Sequence, residues 1–452
     1  MIDGSRSRVE MIQSDAPLYQ ALRTYAAKGR ASFHTPGHKG QTGLLDLDLS
    51  LDLTELPETD SLFECDGAIR AAEIRAAELF GAAYTAVSAG GCTLAIQGML
   101  AAFAPCGSTV IFSRNLHRSA VNTAMLLDLR PVWLMQRRDA GDGLPGRIRS
   151  QDVRTALERH PQAAAVYLTS PDYYGCLSDL ADIAGVCRSF GVPLLVDNAH
   201  GTHLIAFGQH PLQLGASASA CSAHKTLPVL TGGAWLNCGD QRAAARLKSS
   251  MALFGSTSPC YLTMASLDLA RAWMQAEGMG AFRQLADTVD ELKALAVQVG
   301  FAVPEGPCDP VRLTLLTASV GCTGNEAADY FRKCGAECEH SDRAAVVFIL
   351  TPFNSPQDID RLRRAIREFP VRAPMAPDVI EFHLPAEAMS PRAALERKHE
   401  RLPVERADGR ISAEAACPCP PGVPVVMPGE VIDTKCVKIL LSTGIREISV
   451  IQ

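Results

Sequence analysis

Pro193-Leu194-Leu195-Val196-Asp197-Asn198-Ala199-His200-Gly201 is the stretch on which the reading of the fold depends. Pro193–Val196 is apolar with no polar alternation, the pattern of a strand buried on both faces. Such strands belong to parallel sheets covered by helices on either side. The run ends on Asp197. In an open α/β sheet the carboxyl ends of the strands face the ligand crevice, so this carboxylate points toward a ligand site. Capping of the next segment is the plainer alternative for it.

The neighbouring sequence repeats the same unit. Ala163–Thr169 reads as a strand and Leu180–Phe190 as a helix. Further upstream, helix Ala68–Phe80 closes at Gly81, strand Tyr84–Ser88 runs into Gly90-Gly91 and a helix over Thr93–Phe103, and strand Thr109–Phe112 precedes a helix over His117–Leu127. Strand and helix in alternation predict an α/β protein with a mostly parallel sheet. Downstream, two long helices (Leu262–Gln275 and Gly280–Val299) lead to Val311–Thr317, Glu326–Cys334 and Ala344–Leu350, a second and smaller αβ pattern. Pro370–Pro391 is rich in proline and reads as a linker. The expected divisions are an N-terminal arm at 1–60, a large domain at 61–290, a small αβ domain at 291–370 and a C-terminal α+β region at 371–452.

Composition narrows the function. The 452 residues are 47% hydrophobic and 20% charged, which excludes a dominantly disordered chain and supplies a large core. With 43 basic and 49 acidic residues the net charge is −6, without the basic excess that binding to nucleic-acid phosphates requires. No apolar run reaches the ~18 residues of a membrane span. Met1–Gln20 has no signal-peptide pattern, so the cytoplasm is the expected location. The 15 cysteines are expected to be free thiols. Cys334/Cys338 and Cys417/Cys419 lack a second pair at zinc spacing, so no metal is expected.

The chemistry gathers around Ser222-Ala223-His224-Lys225-Thr226. A lysine among small residues loses hydration, its pKa falls, and its amine becomes a nucleophile toward carbonyls. Taken alone, the motif also describes a lysine on an exposed loop. Asp197 stands 28 residues earlier. A strand-end Asp followed by Lys at this distance is the layout expected of pyridoxal phosphate (PLP) enzymes, which use a Schiff-base lysine and an acid against the pyridine nitrogen. Ser88-Ala89-Gly90-Gly91-Cys92-Thr93 lies between a strand and a helix and suits a phosphate. His117 follows the next strand, where an imidazole can stack on a ring.

Thr35-Pro36-Gly37-His38-Lys39-Gly40, Arg114-Asn115-Leu116-His117, Asp197–Gly201, Ser222–Pro228, Ser256-Thr257-Ser258-Pro259 and Pro420–Glu430 resemble, in order, the signatures of the Orn/Lys/Arg decarboxylase family. The resemblance is to its short form, without a wing domain. It implies the aspartate-aminotransferase-like fold (fold type I), PLP as cofactor, and decarboxylation of arginine or lysine, then ornithine. It implies that Lys225 joins the cofactor, Asp197 pairs with the pyridine nitrogen, and His117 and Ala199 cover the two ring faces, with His200 also at the site. Gly91, Cys92, Thr93, Ser222 and His224 would surround the phosphate. Ser256, Thr257 and Ser258 would reach the cofactor of a neighbouring subunit, so a homodimer or higher homo-oligomer with shared sites is implied. Glu430 would meet the distal cation of the substrate.

The sequence departs from that family at several positions. Asn198 stands where Glu is usual, Cys92 where Ser or Thr is usual, Ala89 where Asn is common, and Cys419 where Tyr is common. Gly232-Gly233-Ala234-Trp235 also marks a divergent branch. Another fold type I enzyme, an aminotransferase or lyase, is the alternative; it would use an arginine such as Arg312, Arg343 or Arg392 for the α-carboxylate. A PLP-binding regulatory protein is a further alternative. A metal enzyme is poorly served by His200 and His203, which lack a third ligand.

Overall fold

The computed structural model describes residues 28–33, 53–56, 59–137, 143–377, 380–418 and 422–452. The Thr35–Gly40 motif and Cys419–Pro421 lie outside them, as does nearly all of the expected N-terminal arm. After β1 (Ala31–Phe33) come α1 (Ala68–Phe80), β2 (Tyr84–Ser88), α2 (Gly91–Phe103), β3 (Thr109–Ser113), α3 (Arg118–Leu126), β4 (Arg130–Leu134), α4 (Ser150–Arg159), β5 (Ala165–Thr169), α5 (Leu180–Ser189), β6 (Leu194–Asp197), β7 (Ala218–Cys221), α6 (Ala223–Thr226), β8 (Ala234–Cys238) and α7 (Gln241–Ala252).

Seven of these strands form one sheet in the order β2-β8-β7-β6-β5-β3-β4. The pairings β3 with β4, β3 with β5, β5 with β6 and β6 with β7 are parallel, while β8 runs antiparallel to both β2 and β7. Helices cover both faces. Leu94, Ala120 and Leu247 of α2, α3 and α7 pack on one side, and Val153 and Ile183 of α4 and α5 on the other. This is why β6 reads as uniformly apolar: each side chain meets a helix layer. Register matters most for function. Thr169 is paired with Asp197, and Asp197 with Ala220, so the carboxyl ends of three neighbouring strands lie level.

Two long helices follow, α8 (Tyr261–Trp273) and α9 (Met279–Val299), joined by a π turn over Met274–Gly278. Residue 290 falls inside α9. Next come β9 (Arg312–Leu316), α10 (Gly324–Lys333), β10 (Ala336–Cys338), β11 (His340–Ser341), β12 (Ala345–Ile349) and α11 (Pro356–Arg367). Strands β11, β12 and β9 make an antiparallel sheet, and β10 pairs in parallel with β1. Helix α11 begins with the signals that favour it: Ser355 and Asp358 form a capping box, and Pro356 occupies the first turn. The last region holds α12 (Pro391–Leu395), β13 (His399–Pro403), α13 (Thr434–Ser442) and β14 (Glu447–Ile451) around Val404, Ile432, Leu440 and Val450. Helix α12 packs on α3. Among the described residues no helix is long and apolar enough to cross a membrane.

One buried carboxylate anchors the edge of the sheet nearest the glycine turn. Glu73 of α1 is fully buried. It accepts from the Tyr84 hydroxyl at 2.6 Å and the Val87 N–H at 2.9 Å, and pairs with Lys248 of α7 at 2.6 Å. Strand β2 is thereby tied to helices α1 and α7. Removing one partner of a buried pair strands the other charge at about 3–5 kcal/mol. Glu73→Ala is therefore expected to lower unfolding free energy by about that amount in urea titration. Lys248→Met should cost less, because Glu73 keeps three other donors, Tyr84, Val87 and Cys65.

Candidate active site

A cavity of about 210 Å³ opens at the level carboxyl ends of the strands. It is lined by Gly91, Cys92, Thr93, Asn115, His117, Thr169, Tyr173, Asp197, Ala199, His200, Ser222, His224 and Lys225, among others. Nine residues expected from sequence to hold or contact the cofactor (Gly91, Cys92, Thr93, His117, Asp197, Ala199, Ser222, His224 and Lys225) thus share one wall, with His200 beside them.

Each is positioned by a strand end or a helix start. Lys225 lies on α6, the single turn directly after β7. Its Nζ is 2.8 Å from Nε2 of His200. Burial pushes the Lys225 amine below its ordinary pKa. Burial, with Lys225 and Arg312 nearby, pushes His200 far below its own. Burial thus disfavours the charged form of both groups. On the other side of the His200 ring, Nδ1 lies 3.5 Å from a guanidinium nitrogen of Arg312. Arginine only donates, so Nδ1 is the acceptor and the ring proton sits on Nε2, directed at the Lys225 lone pair.

Asp197 is 2% exposed. Its carboxylate accepts from the Ala199 N–H at 3.1 Å and the Tyr167 hydroxyl at 3.3 Å. Burial pushes its pKa up, opposed by His117 and Lys225. His117 is the N-cap of α3, accepting from the Ser119 N–H at 3.2 Å, so its ring orientation is set by the helix it starts. Capping and cavity lining coexist in this residue.

The cavity fits PLP on three counts. Gly91 has φ +70°, and a Cβ there would meet nothing within 4 Å. It starts the 13-residue helix α2, whose first-turn N–H groups and dipole favour an anion. Asn115 Oδ1 and Thr169 Oγ1 are buried and have no protein partner, leaving polar groups for a polar ligand. Asp197 is a buried carboxylate whose raised pKa a cationic ring nitrogen would bring back down. A neutral lysine amine completes the donor set.

Several residues of the site, Tyr173 and Pro171 among them, escaped the sequence reading. Asn115 stands two residues after β3, Thr169 ends β5 next to Asp197, and Tyr167 supports the Asp197 carboxylate. The rule that singled out Asp197, a polar residue at a strand's carboxyl end, applies equally to Thr169. Arg312, weighed above as a carboxylate binder, is buried and donates to the carbonyls of Tyr173 and His200 and to Asp309 at 3.2–3.4 Å.

Glu430 requires a correction. It is 3% exposed and does not line the cavity. Its two oxygens receive Arg114 at 2.6 and 2.7 Å, and one also accepts from the Met427 N–H at 2.7 Å. The cation that Glu430 meets is Arg114, and the expected substrate contact is corrected because both oxygens are already engaged. Ser256, Thr257 and Ser258 form an exposed turn outside the cavity lining.

Comparison with known proteins agrees with this geometry. The profile of the Orn/Lys/Arg decarboxylase major domain matches residues 16–299, and that of the C-terminal domain matches residues 377–443. The arginine decarboxylase of Bacillus subtilis is 32% identical, over 93% of this chain and 92% of that protein. The constitutive lysine decarboxylase of Escherichia coli is 24% identical, over 92% and 75%. A solved lysine decarboxylase from Francisella novicida superposes with a TM-score of 0.76 at 18% identity, over 93% of this chain and 79% of that one. With two family profiles matched and a full-length relative above 30% identity, the chain belongs to the Orn/Lys/Arg decarboxylase family.

Proposed function

We propose that this protein decarboxylates a basic amino acid with PLP, with arginine or lysine as the first substrates to test and ornithine next. The observation that carries the reading is the buried amine of Lys225, 2.8 Å from His200, in a cavity that also holds Asp197 and the start of α2. Family membership and the arginine and lysine decarboxylases among the relatives support it.

PLP, when bound, supplies an electron-accepting ring that takes up the electron pair left at the α-carbon as CO₂ departs. The residues do the rest. Gly91, Cys92, Thr93, Ser222 and His224 hold the phosphate. Lys225 presents an unprotonated amine to the carbonyl carbon. His200 holds a proton on Nε2 beside that amine and can return or take it. Asp197 keeps the ring nitrogen protonated, and Tyr167 fixes the carboxylate that does so. His117 and Ala199 hold the ring plane.

Among the described residues that line the cavity, Asp197 is the only acid, and it lies against Tyr167. The acid that meets a distal ammonium or guanidinium therefore comes from beyond this lining. A homodimer with shared sites, in which the exposed Ser256–Ser258 turn serves the neighbour, accords with that. The amine product suits polyamine synthesis. Glu430, in this reading, works through Arg114: it clamps the residue before Asn115 and so steadies the turn that carries Asn115 and His117.

Incubation with PLP and single amino acids, followed by assay of CO₂ and amine, is expected to show release from basic substrates; release only from neutral ones would refute the proposal. Lys225→Ala should lose turnover, and borohydride should no longer fix the cofactor to the protein. Asp197→Asn keeps the shape and removes the charge. A loss of a few kcal/mol in the barrier lowers kcat about a hundredfold or more, while PLP affinity measured by dialysis should change far less. Glu430→Gln leaves Arg114 buried without its counter-charge and should cost of order 3 kcal/mol in urea unfolding. Its effect on kcat/KM should be equal for basic and neutral amino acids; a loss confined to basic ones would restore Glu430 as a substrate contact.

A further inference from the structure

The cysteines that lie close in sequence are not the pair that the fold brings together. Cys176 ends a turn after β5, and Cys308 sits in the segment entering β9, 132 residues later. They face each other across an isolated antiparallel bridge. The flanking hydrogen bonds run from Leu177 N–H to the Pro307 carbonyl at 3.0 Å and from Asp309 N–H to the Gly175 carbonyl at 2.8 Å. The cysteines are therefore the narrow, non-hydrogen-bonded pair of the ladder, for which Cα atoms stand ~4.5 Å apart. A disulfide spans Cα separations of ~4.4–6.8 Å, so it can close here without moving the backbone.

Across this bridge the Cys176 thiol stands opposite the Cys308 sulfur. A guanidinium nitrogen of Arg147 lies 3.9 Å from that sulfur. Contact with Cys176 and the field of Arg147 hold the Cys308 thiol below its ordinary range, although burial opposes them. Cys176 is buried and Cys308 is partly exposed. The partly exposed Cys308 thus has the lowered thiol pKa, with a buried resolving partner behind it.

We propose that Cys176 and Cys308 form a reversible thiol–disulfide site, oxidised by a small-molecule disulfide such as oxidised glutathione. The Cys308 thiolate attacks one sulfur of the oxidant, forming a mixed disulfide and releasing one thiolate. Cys176 gives up its proton, attacks the Cys308 sulfur and expels the second thiolate. Two protein thiols lose two electrons and two protons, and the oxidant becomes two thiols. The bond ties the turn carrying Tyr173, whose ring centroid is 5.1 Å from that of His200, to Asp309, which holds His203 at 2.8 Å.

The test uses the full-length, PLP-loaded protein incubated with oxidised glutathione, alkylated and digested for mass spectrometry. A peptide pair joined through Cys176 and Cys308, two hydrogens lighter and separated by dithiothreitol, is expected. Cys176→Ser should trap glutathione on Cys308, and Cys308→Ser should abolish the crosslink. Exposed Cys106 and Cys260 serve as internal controls for simple adducts. Modification confined to Cys106 and Cys260 would overturn the proposal. So would failure of Cys176→Ser to accumulate the adduct on Cys308.

Discussion

The active site depends on a register. Because β5, β6 and β7 are parallel and level, Thr169, Asp197 and the turn leading to Lys225 arrive on one edge of the sheet. A slip of one residue in β6 would turn Asp197 to the opposite face and replace it with Val196 or Asn198. Such slips are opposed by the double burial of the strand: Leu195 packs on one helix layer, and Leu194 and Val196 on the other. The constraint that makes the core stable is therefore the one that aligns the chemistry.

Charge is handled in the same buried zone by a chain of contacts. Lys225 touches His200, His200 faces Arg312, Arg312 reaches Asp309, and Asp309 pairs with His203. The two ends differ in character. Around Asp309, the neighbouring His203 and Arg312 hold the carboxyl at about 2 despite its burial. Around Lys225 burial prevails and pushes both the amine and the His200 imidazole below their ordinary pKa values. Arg312 separates the two regimes: it neutralises Asp309 on one side and suppresses a second positive charge on His200 on the other. A neutral amine next to a neutral imidazole is the state a nucleophilic lysine needs.

Much of this was legible in the sequence, for a physical reason. Elements with strong patterns, such as α1 over Ala68–Phe80 and β2 over Tyr84–Ser88, match the reading residue for residue. Strand β7, Ala218–Cys221, is made only of small, buried residues and carries no strand pattern of its own. It is a strand because β6 and β8 flank it, and small side chains leave room where α2 crosses. No local propensity announces that. The antiparallel sense of β8 is equally a property of connections and not of its own residues. Lys225, Asp197 and His117 were legible because each follows a recognisable strand or glycine turn. The partner of Glu430 was not, since Arg114 lies 316 residues away and only tertiary packing joins them.

The departures from the family pattern divide by where they point. Asn198, in place of the usual Glu, does not line the cavity; its amide donates to Cys221 at 3.3 Å, on the inner side of the strand ends. It is buried, and an added carboxylate there would need a donor set that Cys221 does not provide. The change is thus absorbed by structure outside the cavity. Cys92 does face the cavity, and burial with the nearby Asp197 pushes its thiol well above the ordinary range. A protonated thiol is a weak donor, so it offers an anion less than the hydroxyl it replaces. In the proposed function, the backbone N–H groups at the start of α2, the Thr93 and Ser222 hydroxyls and His224 would then carry the phosphate. Backbone donors keep their direction whatever the side chain is, which explains how a cradle of this kind tolerates cysteine at its centre.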